Sequence, residues 1–237
     1  MDIQLHYEEY GQGEVLLLLH GNGESGEYFR NQIPYFSKKY RVIAVDTRGH
    51  GKSPRGAEPF TIRQFADDLK GFMDEKKIAR AHLLGFSDGG NIAMVFALKY
   101  PSRVNRLILN GANLDGGGVK PSVQIPIIIG YGMASLCAKV SQKARANAEM
   151  LRLMVKDPNL KKEELAKIKS KTLVIAGTKD MIKEKHTRLI AGNIPDCRLV
   201  FLPGDHFIAG KNPQAFNQTV GQFLGMEKAA AIRPNRR

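Results

Sequence analysis

Residues 83 to 94 read LLGFSDGGNIAM, a single serine, Ser87, standing between Gly85 and Gly89 with an apolar run on either side. A hydroxyl so placed can attack a carbonyl carbon, provided that a base takes its proton and an anion holds the base. The glycines make the setting specific. Where a buried strand turns abruptly into a buried helix, the central residue is held in strained dihedrals, and a Cβ at either flank would strike the neighbouring elements. Such a turn lifts the Ser87 hydroxyl above the sheet edge, at the positive end of the helix that begins with Asp88.

Six histidines are candidates for the base. His206, in FLPGDHF, follows the last apolar run and is the expected base, because a short loop delivers it to the edge that carries Ser87. His20 and His50 sit inside tight glycine turns, HGNG and RGHGKS, and are expected to be structural, while His6, His82 and His186 fall on strand or helix patterns. For the anion, Asp180 in VIAGTKD lies just beyond the strand before the last and is the expected partner of His206. Asp115, after VNRLILN, is the alternative. Asp205 adjoins His206 but is expected to point away, and Asp46 in DTRGHGKS to be tied into its own turn. Acyl chemistry also needs two donors for the oxyanion. The backbone N–H of Asp88 is one, and that of Asn22, in the loop HGNG, is the other. Asp88, Asn22 and Phe86 adjoin this niche and are the expected substrate contacts.

Positioning these groups falls to six short apolar runs, at 14–20, 41–46, 81–86, 104–110, 171–177 and 197–203. Each is too short for a helix and most are nearly continuous, as strands buried on both faces are. Helical patterns separate them. Thr61 with Gln64 three residues on reads as a capping box opening a helix with Ile62, Phe65, Leu69, Phe72 and Met73 on one side. Another runs from Asp88 to Pro101, and a third starts at Asn212 and Pro213 and stops at Gly225. Alternating strand and helix predicts an α/β fold with a mainly parallel central sheet flanked by helices. IQLHYEEYG alternates and runs into Gly-Gln-Gly, which predicts an edge hairpin with residues 14–20. From 114 to 168 the alternation fails: after LDGGGVKP come helical segments around 125–145, 147–155 and 160–168, a short insertion between two late strands. The expected organisation is a core of 1–113 and 169–227, the insertion at 114–168, and a basic, disordered tail at 228–237.

Composition narrows the function classes. The 237 residues fit one domain, with 43% apolar and 25% charged residues, a soluble globular profile. The start, MDIQLHYEEYG, has no basic and apolar leader, and VLLLL is far short of a membrane span, so a cytoplasmic protein without membrane contact is expected. A net charge of +13 invites a nucleic-acid reading. The cations, however, are spread through SKKY, DEKKIAR, NLKKEELAKIKSK and the tail, mostly among acids, so a solvated basic surface and no nucleic-acid partner are expected. Cys137 and Cys197 fit neither a metal-ligand spacing nor a disulfide framework and read as buried or semi-buried thiols; no metal and no cofactor are implied.

HGNG, DTRGHGKS, GFSDGG and GTKD with GDHF, in that order, resemble the α/β-hydrolase superfamily over nearly the whole chain. The resemblance implies Ser87 as nucleophile, His206 as base, Asp180 as acid, Asn22 and Asp88 as oxyanion donors, and residues 114–168 as the cap, or lid, over the site. LGFSDGGNIAM with KYPSRVNRLILNGAN is similar to the valacyclovir hydrolase, or biphenyl hydrolase-like, branch, in which the aspartate after the nucleophile pairs with a substrate amino group. Asp88 then has two readings: a partner for a substrate ammonium, or a carboxylate settled at a helix N-terminus. The activity implied is serine hydrolysis of a small carboxylic ester. Hydrolysis of a carbon–carbon bond, cofactor-free perhydrolysis and acyl transfer use the same triad and are the alternatives, and a non-catalytic ligand-binding protein of this fold is a further one.

Overall fold

The computed structural model describes residues 2–226. The expected tail therefore lies outside the described residues. Seven strands, β1 (Tyr7–Tyr10), β2 (Val15–Leu19), β3 (Arg41–Val45), β4 (Ala81–Phe86), β5 (Val104–Asn110), β6 (Lys171–Gly177) and β7 (Cys197–Leu202), form one sheet in the order β1-β3-β2-β4-β5-β6-β7. All neighbours are parallel except β1 and β3. The apolar runs become the central strands because both faces are covered: Leu16, Leu17, Leu18 and Leu19 of β2 have no exposed surface at all.

The first strand departs from the expected hairpin. β1 pairs antiparallel with β3, Tyr7 opposite Val45, and not with β2. Both edges of β2 are taken by parallel partners, β3 and β4, so β1 can add only outside β3. The glycine turn makes room for this. At Gly11 (φ +73°) and Gly13 (φ +108°) an added Cβ would lie 2.3 Å from the Ser37 carbonyl oxygen and 2.7 Å from that of Lys39, because the loop crosses hard against the chain entering β3.

Helices cover both faces. On one lie α2 (Ile62–Glu75), α3 (Asp88–Lys99) and α6 (Glu184–Asn193); on the other are the short α1 (Ile33–Phe36) and α7 (Ile208–Lys211) and the longer α8 (Pro213–Leu224). The Thr61 hydroxyl accepts the Gln64 N–H at 3.1 Å, and Gly225 closes α8 in the left-handed conformation. Between β5 and β6 stand α4 (Pro121–Cys137), α5 (Gln142–Lys156) and a 3-10 turn at Lys162–Lys167. The first two break near residue 140 and not near 146, where the sequence pattern suggests, because Ser141 caps α5 by accepting the Ala144 N–H. Cys137 is exposed on α4, unlike the buried or semi-buried thiol expected, and Cys197 is half-buried.

Candidate active site

Ser87 sits where β4 becomes α3, at φ 53° and ψ −119°. A non-glycine residue there costs about 1–3 kcal/mol, so the surroundings must enforce it. They do so from both sides. The Ser87 N–H donates to the Asn110 carbonyl on β5 at 2.8 Å, and its own carbonyl accepts the Asn91 N–H at 3.0 Å. A Cβ on Gly85 would stand 2.1 Å from the Gly89 carbonyl oxygen, and one on Gly89 2.0 Å from that of Leu19. Helix α3 is thus pressed onto the sheet, and only glycine fits at the contact.

Asp180, just beyond β6, and His206, just beyond β7, meet at the same edge, with His206 Nδ1 2.7 Å from Asp180 Oδ1. Both are almost wholly buried. The Asp180 carboxylate also accepts the Ile182 N–H at 2.9 Å, which fixes its rotamer. An imidazole donating from Nδ1 to a carboxylate presents a lone pair at Nε2. That Nε2 is buried with no protein partner among the described residues, and the ring shares a cavity with Ser87. The Phe86 ring lies 4.8 Å from that of His206, and Gly111 (φ +63°) passes so near that a Cβ would be 2.6 Å from His206 Cε1.

The competing groups are occupied elsewhere. Asp115, the alternative anion, accepts the Gly117 N–H at 2.6 Å as the cap of a short turn and does not reach His206. Asp205 accepts the Phe207 N–H and pairs with Lys211. Asp46 gathers the N–H groups of Gly26 and Lys52 together with His6. His20 bonds the Gly21 carbonyl and accepts the Thr47 N–H, and burial pulls its pKa down to about 4. His50 meets the Arg48 carbonyl, His82 meets Glu14, and His186 accepts the Leu114 N–H.

Asn22 and Asp88 come together through their side chains. Asn22 Nδ2 donates to Asp88 Oδ2 at 2.9 Å and to the Met150 carbonyl on α5, also at 2.9 Å. Asn91 Nδ2 reaches Asp88 Oδ1 at 3.3 Å and Asn113 Oδ1 at 3.1 Å. Burial raises the Asp88 carboxyl to about 6; the Asn22 hydrogen bond opposes this, and the nearby Asp157 charge adds to it. The backbone N–H groups of Asn22 and Asp88 donate to no protein acceptor among the described residues. Phe86, expected to touch substrate, is 1% exposed: its ring stacks on Tyr28 with centroids 4.3 Å apart and backs His206, because residues before and after Ser87 point to opposite sides of the turn.

The cavity beside Ser87 encloses about 20 Å³, room for about one water, and is lined by Ser87, Asp88, Asn113, Val119, Met154 and Met181 with Ile182 and His206. Sequence reasoning missed Asn91 and Asn113. Their signal was an amide set among small and apolar residues, alone in GGNIAM and beside a second, Asn110, in LNGAN.

A family model described as the alpha/beta hydrolase fold matches residues 14–128. The 2-hydroxy-6-oxononadienedioate/2-hydroxy-6-oxononatrienedioate hydrolase of Comamonas testosteroni is 30% identical over 268 aligned positions, covering 94% of this chain and 92% of the relative. The 2-hydroxy-6-oxo-6-phenylhexa-2,4-dienoate hydrolase of Burkholderia cepacia matches with the same identity and coverage. Among solved structures, the enol-lactonase from Burkholderia xenovorans LB400 superposes with a TM-score of 0.79 at 26% identity, covering 94% of this chain and 97% of that one. The chain belongs to the α/β-hydrolase family. It is a hydrolase of that fold.

Proposed function

We propose that this chain is a serine hydrolase that cleaves small carboxylic esters through an acyl-enzyme, with Ser87 as nucleophile, His206 as base and Asp180 as its anchor. The observation that carries the reading is the Asp180–His206 hydrogen bond of 2.7 Å, which leaves Nε2 free in the cavity that Ser87 lines. His206 Nε2 takes the Ser87 proton as Oγ attacks the ester carbonyl carbon. The oxyanion that forms is held by the Asn22 and Asp88 N–H groups. Collapse breaks the bond to the alkoxy oxygen, which leaves as the alcohol with the proton from His206. Water then gives a proton to the same nitrogen and attacks the acyl carbon; the acyl–Oγ bond breaks, His206 returns the proton to Ser87 Oγ, and the acid leaves. The helices inserted between β5 and β6 serve as the cap, and Met154 is their contribution to the cavity wall.

Charge selects the substrate class. The cavity lining holds one carboxylate, Asp88, and neither lysine nor arginine, and Asp157 adds negative charge nearby. Among the insertion's cations, Lys139, Lys143, Arg145 and Lys156 face solvent and Arg152 pairs with Asp157. An anionic acyl group would meet repulsion, while a neutral or amine-bearing one would not. A second reading, carbon–carbon bond hydrolysis, is favoured by the relatives, whose named substrates contain no ester.

The test combines a fluorophosphonate probe with a panel of butyryl, aminoacyl, lactone and 2-hydroxy-6-oxo-dienoate substrates. Labelling and ester turnover that vanish in Ser87→Ala support the proposal. Turnover of the dienoate with none of the esters replaces it with the second reading, and a probe that labels wild type and Ser87→Ala alike removes the nucleophile.

A further inference from the structure

Helix α4 is apolar on more than one side, with Val123, Ile127 and Tyr131 half-buried and a second set of apolar residues left in solvent. A surface helix turns its apolar stripe to the core. In α4 the most buried residue is polar: Gln124 donates from Nε2 to the Met154 carbonyl of α5 at 3.2 Å. A neighbouring, outward side carries Ile125, Ile128, Ile129, Met133 and Leu136, which are 47–77% exposed, and Val140 just past the helix end is 90% exposed. These positions follow the three-and-four spacing of one helical face. Contiguous apolar surface of this kind marks an interaction site.

The charges around the stripe identify what it meets. From Gly116 to Ala148 there is no Asp or Glu, and there are four cations, Lys120, Lys139, Lys143 and Arg145. All four are exposed, and none forms a salt bridge among the described residues. Lys120 stands before the first turn of α4 and Lys139 just after its last, so the apolar stripe is bracketed by unpaired positive charge. A second copy of the chain is the wrong complement, because a two-fold contact through this face would set four cations against four. An anionic bilayer surface supplies both halves: acyl chains for the stripe and lipid phosphates for the flanking lysines. Among the described residues no helix is long and apolar enough to cross a membrane, so the contact is interfacial.

We infer that the α4–α5 hairpin docks on anionic lipid bilayers, with the outer stripe of α4 entering the headgroup boundary and Lys120, Lys139, Lys143 and Arg145 on the lipid phosphates. The inference is independent of which bond the enzyme cleaves. It replaces the expectation of no membrane contact, which rested on the lack of a spanning segment and did not address a helix lying in the interface.

Flotation of the full chain with extruded vesicles tests it, using phosphatidylcholine alone and with about a third phosphatidylglycerol. Wild type is expected to float with the anionic vesicles at low salt and at least about tenfold less with the neutral ones. Ile129→Gln with Leu136→Gln is expected to lower binding about tenfold or more, and Lys139→Glu with Lys143→Glu at least as much. Both variants should keep wild-type turnover of a water-soluble ester and wild-type melting. If the first pair fails to fold, Ile128→Gln with Met133→Gln probes the same stripe. Failure of wild type to float, equal binding to neutral vesicles, or undiminished binding by the apolar variant overturns the inference. So does sedimentation showing a wild-type dimer that the apolar variant dissociates, which would assign the stripe to a second protein chain.

Discussion

Replacing Asp88 by asparagine, and varying pH around it, separates a substrate-binding carboxylate from one that merely ends a helix. Asp88 is 6% exposed, lines the cavity beside Ser87 and is raised to about 6 by burial. Its ionised fraction therefore falls from about 0.9 at pH 7 to about 0.1 at pH 5. The suitable substrates are a β-alanyl and a butyryl ester of one alcohol, which match in shape and differ by an amine that stays protonated across this range. Both acylate the same serine through the same histidine, so the ratio of their kcat/KM values cancels the pH dependence they share. If Asp88 binds the ammonium, that ratio falls about tenfold between pH 7 and pH 5. In Asp88→Asn, a lost charge-assisted hydrogen bond of about 1.5–3 kcal/mol lowers the ratio about 10- to 150-fold at pH 7 and makes it independent of pH. A ratio that is flat with pH in wild type, or equal losses for both esters in the variant, would refute the reasoning and leave Asp88 as a helix-end carboxylate.

The same residue has a stability signature. Because its folded pKa lies above the unfolded value of 3.8, the folded state holds the extra proton between roughly pH 4 and pH 6, so stability falls as pH rises through that window. Denaturant titration should show Asp88→Asn lacking a dependence worth about 3 kcal/mol that wild type has across it. Asp180→Asn, which upsets the tautomer set by the 2.7 Å bond to His206, is expected to cut kcat about 10⁴-fold with little change in KM, as measured by ester hydrolysis. Gly89→Ala drives a Cβ to 2.0 Å from the Leu19 carbonyl and should abolish the cooperative melt, whereas Gly192→Ala in α6, with nothing within 4 Å, should stabilise by about 0.5–1 kcal/mol. Asp68→Ala strips one of two carboxylates from Arg48, which has no exposed surface, and should cost about 3 kcal/mol in urea unfolding.

The strand runs were legible because a parallel sheet covered on both faces demands unbroken Val, Ile and Leu, and 81–86, 104–110 and 171–177 fall on β4, β5 and β6 without adjustment. The serine turn was legible for a similar reason: a chain reversal this tight admits only glycine at its flanks. The partner of β1 was not legible, because alternation in IQLHYE marks an edge strand without saying which edge is free. Phe86 was misread for want of a side-chain direction. One position before Ser87, it points behind the histidine and stacks on Tyr28.

The order of residues along the chain determined the strands, the helices between them and the short list of groups able to do chemistry, since periodicity, caps and glycine turns are local properties of the backbone. Only the tertiary structure decided between Asp180 and Asp115 as the neighbour of His206, tied Asn22 to both Asp88 and α5, and left an apolar stripe of α4 facing outward. Those outcomes depend on which distant side chains share a small, dry volume. That is a matter of packing between residues many positions apart, and no local pattern encodes it.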